Sequence, residues 1–394
     1  MKKSIHQDHG PAVIGRTVVF DDSAVYAGPT MVLDRSRSTP PPIVARNEPM
    51  AYFGGMLATG LEEVVDLSVD PEAVEESGWW AISATFEGVM RAYRFADVRP
   101  SALPMTAPGP ADGESDRFRA EWVGPERCEW RSSLDRQEYL SGVRAIRGEI
   151  AAGNVYQVNL CRVLSAPLGE SADPLALAAR LAAGNPAPYQ GILNTGTEWI
   201  ISASPELFLS RTDRLVRSSP VKGTAPPGEA FLDKDYPENI MITDLVRNDL
   251  GRVAESGSVF VSELLARQEH PGVAHLVSTV RAVLRPGLGW HQLLQACFPP
   301  GSVSGAPKIA ALRVISSLEN RRRGVYCGAV GVIDADHRKG VLAVGIRTFF
   351  TERTADLHTI NFGTGAGITY SSDPEQEWLE TELKASRLIG LASR

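Results

Sequence analysis

Cysteine is scarce in this sequence: Cys128, Cys161, Cys297 and Cys327 are the only four in 394 residues, with no CxxC pair and no Cys/His metal spacing. That excludes a disulfide scaffold and a zinc ribbon, and it predicts reduced, mostly buried thiols and a cytoplasmic address. Long apolar runs are missing as well. Nothing approaches the ~18 residues of a membrane span. The opening MKKSIHQDHGPAVIG has lysines but no apolar stretch behind them, so neither a signal peptide nor a membrane partner is expected. An excess of positive charge is also absent. Lys+Arg 40 against Asp+Glu 47 leaves −7, which argues against a nucleic-acid partner, because that needs a concentrated basic stripe. An anionic substrate would have to be drawn in by a few placed cations or a metal.

What remains, with 43% hydrophobic and 22% charged residues, is a folded chain of one large domain or roughly two to three ordinary ones. There is no internal repeat. Residues 13–100 read as short strands and turns: VIGRTVVF and TMVLD are strand-like, and GWWAISATF and GVMRAYRF alternate as a strand pair does. Residues 101–127, rich in Pro, Gly, Ala and acid, read as a linker closing a β-rich region 1–127. Region 128–394 is a second, larger domain. In it Leu140, Val143, Ile146 and Ile150 share a helical face, and helices are also expected over 174–184, 238–254, 288–297 and 306–320. GILNTGTEWIISASPELFLSR reads as a hairpin, and strands are expected at 272–284, 325–333, 341–350 and 357–362. A last helix has Asp373 as N-cap, Pro374 at its first position and Gly390 at its end. Strands arrive in adjacent groups, which favours an α+β layered sandwich over a doubly wound sheet.

Asp235 and Glu238 stand three apart at a helix entry. Glu377 and Glu380 share a helix face, with Lys384 one turn further on. Two acidic pairs facing one cavity would suit a hard ion such as Mg²⁺; equally, all four acids would suit a solvated helix surface. Lys222 sits in SSPVKGTAPPG, a stretch that reads as a stiff loop. A desolvated lysine there can act as a nucleophile, although most lysines are simply exposed. Glu206, after a strand and a proline, is a candidate general acid if burial raises its pKa. His275 lies in an apolar strand, where a satisfied core histidine is the alternative. Arg347 in VGIRTFF calls for a carboxylate partner, and Tyr326 can offer a hydroxyl.

Gly363, Gly365 and Gly367 make a GxGxG spacing with no helix behind it, so no dinucleotide loop is indicated. Read as a turn, the segment offers backbone amides to a carboxylate. FPPGSVSGAPK, with Ser302 and Ser304, leads into a helix near Ala306 and could hold an anion there, but it lacks the GK[ST] ending of a P-loop.

In order, VYQVNLCR, SASPELFL, PVKGT, ENIMITDLVRNDLGRV, GVAHLVSTV, FPPGSVSGAPK, YCGAVG, GIRTF, NFGTGAGI and DPEQEWLETELKA resemble the chorismate-binding enzymes, the family of anthranilate, aminodeoxychorismate, isochorismate and salicylate synthases. The resemblance covers residues 135–388; residues 1–127 match only loosely. It implies a layered sandwich of mostly antiparallel sheets with helices outside. It also implies chorismate as substrate, Glu238 and Glu380 as direct Mg²⁺ ligands, and Asp235 and Glu377 at outer positions. By the same resemblance Glu206 is the general acid and His275 the active-site histidine. Ser302, Tyr326, Arg347, Lys384 and the amides of Ala366 and Gly367 are substrate-binding groups. Gln157 stands where water-adding members carry a lysine, and an amide cannot act as that base. Lys222 stands where the C4-aminating branch carries the lysine of its PVKGT-type motif, whereas anthranilate synthases, the alternative, typically carry alanine. Amination needs ammonia. None of the four cysteines has the glycine-flanked elbow of a glutaminase nucleophile, so a separate glutamine amidotransferase subunit is the expected partner.

Overall fold

Strands dominate residues 42–106, 122–270, 273–354 and 357–394, the part of the chain described by the computed structural model. The strand-like segments VIGRTVVF and TMVLD, and most of the 101–127 linker, lie outside the described residues. The first group is β1 (Ile43–Val44), β2 (Met50–Phe53), β3 (Met56–Asp66), α1 (Ala73–Glu76), β4 (Trp79–Ala84), β5 (Met90–Pro100) and β6 (Met105–Thr106). Then come β7 (Arg131–Ser132), α2 (Arg136–Ala151), β8 (Gln157–Pro167) and α3 (Pro174–Gly184). β9 (Tyr189–Asn194), β10 (Trp199–Ser204), β11 (Leu207–Thr212), β12 (Leu215–Ser219) and β13 (Val221–Ala225) follow. α4 (Asp235–Gly251) leads to β14 (Phe260–His270), β15 (Val273–Val283), α5 (Trp290–Cys297), β16 (Gly305–Ala306) and α6 (Lys308–Leu318). β17 (Ala329–Asp334), β18 (Lys339–Val344), β19 (Thr348–Arg353), β20 (His358–Ile368) and α7 (Pro374–Ala392) complete the order.

Apart from the parallel pair β1–β6, the pairings are antiparallel. One arm of the ladder runs β8–β20–β19–β10–β9–β2–β3; it crosses to β5 and continues β5–β4–β17–β18–β11–β12–β15. Side chains from both arms meet in one core, with Phe53, Leu193 and Ile200 from the first and Trp80, Val330 and Leu342 from the second. The next residue on β10, Ile201, points the other way and packs with Phe349, Leu181 and Leu388 beneath α3 and α7. That alternation is the period of two that a two-sided sheet requires. The layered α+β sandwich with helices outside is therefore the observed architecture.

α2 begins where the apolar spacing placed it. Asp135 caps it by accepting from Glu138 N (2.8 Å), and Glu138 answers on Asp135 N (2.7 Å). Asp373 caps α7 through Glu375 N and Gln376 N, but the helix passes through Gly390 and ends only at Ala392. Gly390 adopts no left-handed conformation, so nothing stops the helix there.

β12 and β13 run end to end along one edge of β15, parted at Pro220. The PVKGT segment is thus a strand held by the sheet rather than the free-standing loop expected from its prolines and glycines. The long interval 341–350 is likewise two strands, β18 and β19, parted at Gly345–Arg347.

Candidate active site

Glu206 leaves β10 after Pro205 and is 3% exposed. Burial pushes its carboxyl from the ordinary 4.5 up to about 7, against the Ser302 hydroxyl bond and the Lys222 charge, which pull the other way. Lys222 reaches in from β13, and its Nζ donates to Glu238 Oε1 at 2.7 Å. Burial alone would lower the Lys222 ammonium. Glu238, aided by Glu206 and Glu380, more than reverses this, so its proton is held above the usual lysine range. Gln157, at the start of β8, donates its amide N–H to the same Glu238 oxygen, and its own Oε1 is buried without a partner.

The four acids are not a solvated surface. Asp235 and Glu377 are buried. Asp235 and Glu238 fill the first turn of α4, which begins three residues earlier than its apolar pattern suggests because Pro237 is tolerated in a first turn. Asp235 Oδ2 accepts from Leu232 N (3.0 Å). On α7, Glu380 accepts from Lys384 (2.7 Å) and from Lys234 (3.1 Å). Burial would raise Glu380, but the two lysines bring it down to about 2. Glu377 is pushed up, by burial first, and its Oε2 has no hydrogen-bond partner. Lys384 also donates to Gly365 O (3.1 Å). Lys234, which no motif singles out, thereby spans α4 and α7; its only signal in the sequence is its place directly before Asp235.

The three glycines of FGTGAGI lie inside β20, not in a turn. With a period of two they share one strand face, and each clears room for a side chain from elsewhere. A Cβ on Gly363 would fall 1.9 Å from the Tyr326 ring, and one on Gly367 would fall 2.5 Å from Glu238 Oε1. Since Ala366 and Gly367 are paired with β8, only one of these two successive amides points away from that ladder. The reading of both as a free anion turn is corrected accordingly.

Ser302 lies in a 3-10 turn, Gly301–Val303, and α6 starts only at Lys308, after β16 has paired with β8. Ser302 lines one cavity with Glu206, and its carbonyl accepts from Asn159 Nδ2 (3.1 Å). His275, on β15, is buried opposite Thr224, with Nδ1 3.3 Å from Thr224 Oγ1. Arg347 sits at the break between β18 and β19 with φ 50, half-buried and in no ion pair with a described carboxylate. Hydrogen bonds, ion pairs and close approaches thus join Glu206, Lys222, Glu238, Gln157, Ser302 and Gly367. Glu377, Glu380, Lys384 and Lys234 form an adjoining charged group, and Tyr326 lies against Gly363, further along β20.

The family model described as "chorismate binding enzyme" matches residues 111–390. Anthranilate synthase component 1 of Streptomyces coelicolor is 39% identical over 278 residues, 67% of this chain and 53% of that protein. Aminodeoxychorismate synthase component 1 of Escherichia coli is 36% identical over 288 residues, 70% of this chain and 62% of that protein. The match therefore spans less than two thirds of either relative. Among solved structures, anthranilate synthase component I from Streptococcus pneumoniae superposes with a TM-score of 0.71 at 22% identity, covering 90% of this chain and 94% of that one; it supports the fold alone. With its ten ordered motifs and more than half its length matched, this chain belongs to the chorismate-binding enzyme family.

Proposed function

We propose that the protein aminates chorismate at C4, giving 4-amino-4-deoxychorismate and water, with ammonia supplied by a separate glutamine amidotransferase subunit. The observation that carries this reading is Lys222, a largely buried lysine between Glu206 and Glu238 on the PVKGT strand. Lys222 as the neutral amine bonds to C2 of the ring while Glu206 passes its proton to the departing C4 hydroxyl, which leaves as water. Ammonia then bonds to C4, the C2–Nζ bond breaks, and Lys222 leaves as the amine. The new ammonium returns a proton to Glu206. Splitting one displacement into two is covalent catalysis, and a carboxyl still protonated near neutral pH suits the acid role. By the family resemblance, Arg347 and Tyr326 would hold the substrate's carboxylates.

Lys222 must first lose the proton that Glu238 stabilises. The acids fit a hard divalent ion by donor type and by the unpartnered, buried Glu377 Oε2. Among the described residues no three His, Cys, Asp or Glu side chains are gathered as a metal cluster. Mg²⁺ commonly needs only one or two carboxylates beside substrate oxygens. Bound by Glu238 and Glu380, with Asp235 and Glu377 outside, Mg²⁺ would offset the substrate's charge and draw Glu238 away from Lys222.

The test is purified protein with chorismate, Mg²⁺ and ammonium, read by mass-resolved chromatography with and without aminodeoxychorismate lyase. A non-aromatic aminated product that becomes 4-aminobenzoate only with the lyase supports the proposal. Relatives of both activities stand at similar identity, so direct anthranilate formation would establish the second reading, anthranilate synthase.

A further inference from the structure

Arg323 is one of the largest side chains in the protein with almost no exposure, at 1%. Nothing in the chemistry above uses it. Its Nε and Nη2 grip Glu319 Oε2 (2.8 Å) and Oε1 (2.6 Å). The remaining contacts go to main chain: Nη1 donates to Val303 O and Nη2 to Asn159 O, both at 2.8 Å. The guanidinium lies over the Phe86 ring, 4.1 Å from its centroid.

These acceptors are not scattered. Val303 adjoins Ser302, which lines one cavity with Glu206 and pulls that carboxyl's pKa down against burial. Asn159 holds Ser302 from the other side, through Nδ2 to Ser302 O (3.1 Å). Glu319 Oε1 also accepts from Cys161 N on β8 (2.9 Å). Tyr326 follows three residues after Arg323, on a segment pinned by the β4–β5 turn: Arg323 N donates to Glu87 Oε1 (2.7 Å), and Phe86 N donates to Gly324 O (2.8 Å). One planar fork therefore fixes the Ser302 turn and β8 together. A lysine head group cannot reproduce these diverging bonds.

We infer that Arg323 is a positioning residue, which acts on Glu206 through the Ser302 turn and sets the place of the proton donor. The inference rests on the reading of Glu206 as the acid of a chorismate-converting site. It also gives residues before the matched region a part in the site, since Phe86 and Glu87 complete the socket.

The experiment is a double-mutant cycle of Arg323→Lys with Ser302→Ala, measured as chorismate consumption under Mg²⁺ and ammonium, beside hydrogen exchange of peptides spanning 298–306. In the wild-type background Arg323→Lys is expected to lower kcat about 10- to 100-fold, as small misplacements do, with KM moving less than about threefold. In the Ser302→Ala background the same change should add less than about threefold, because its route is already cut. An equal loss in both backgrounds would overturn the inference. If Arg323→Lys does not fold, Phe86→Leu, which removes the ring stack and keeps every hydrogen bond, enters the same cycle with the same two outcomes. Wild-type protein that leaves chorismate untouched would sink the functional reading alone. Faster exchange over 298–306 in the variant would then still support the socket, and unchanged exchange would refute it.

Discussion

Two cations held inside the protein, Arg323 fully buried and Lys222 largely so, show how differently it treats charge in its interior. Arg323 meets a carboxylate in both directions and two fixed carbonyls, and its face is covered by an aromatic ring. Lys222 has one ion pair, to a carboxylate that also takes the Gln157 amide, while Glu206 and Glu380 act on it from further off. The first arrangement is a closed set of donors and acceptors, which rigidifies. The second leaves groups whose charge can be moved, as a reaction requires. Substitutions in the two places should move stability in opposite senses.

The largest effect is expected at Glu206. Glu206→Gln should cut turnover by about 10²- to 10⁴-fold, the usual worth of a general acid, and wild-type activity through this group should fall as pH rises through about 7. The substitution should have the opposite effect on stability. The folded carboxyl holds its proton up to about 7 while the unfolded one releases it near 4.5, so wild-type stability declines between these values. Glutamine removes that loss. Above pH 7 the variant should be more stable than wild type, by ~3 kcal/mol at most, as read from urea midpoints at pH 5 and pH 8. A variant that loses activity and stability together would place Glu206 with Arg323 as architecture.

Arg323→Met should lower stability where Glu206→Gln raises it. Breaking a buried pair and leaving Glu319 charged costs about 3–5 kcal/mol, visible as a fall in the urea midpoint with an unchanged slope. A loss under about 1 kcal/mol would mean that the socket collapses or hydrates readily. Gly363→Ala comes next. Its Cβ would sit inside the Tyr326 ring, so about 1–3 kcal/mol of overpacking strain is expected. The ring must move, so KM for chorismate should rise. A normal KM would remove Tyr326 from the substrate site.

Part of this contrast is legible in the amino-acid sequence. Helices with a side-chain cap and an apolar face, α2 and α7, can be read from Asp135 and Asp373, because capping is local chemistry. The order of motifs carries the family. What stays hidden depends on long-range pairing. FGTGAGI looks like a turn because glycine usually signals one; inside β20 the glycines exist because Tyr326, Gln157 and Glu238 come close from distant parts of the chain. PVKGT looks like a loop, and only the neighbouring β15 makes it a strand. Arg323 stands in RRRG, where a run of arginines suggests solvent. Its burial is set by Val303, Asn159, Glu319 and Phe86, and most of these lie far away in sequence.

The smallest effect, and the sharpest test of the comparison, lies at Lys234. Its side chain is 49% exposed, and its bond to Glu380 at 3.1 Å is a surface-type pair worth roughly 0–1 kcal/mol. Lys234→Met should therefore leave Tm within about 2 °C. It should still alter the cleft, because Lys234 and Lys384 are the charges that hold Glu380 down to about 2. A carboxylate depressed in the folded state adds stability above its unfolded pKa and loses it as pH falls toward the folded value. With one of the two lysines gone, the acid-side loss should still start near the unfolded pKa, but it should be smaller and be complete at a higher pH. If Glu380 is a Mg²⁺ ligand, Lys234 competes for the same oxygen, and its removal should tighten Mg²⁺ binding a few-fold in calorimetry. Weaker binding would instead make Lys234 the strut that aims Glu380, and the cleft would then resemble the Arg323 socket more closely than its sparse pairing suggests.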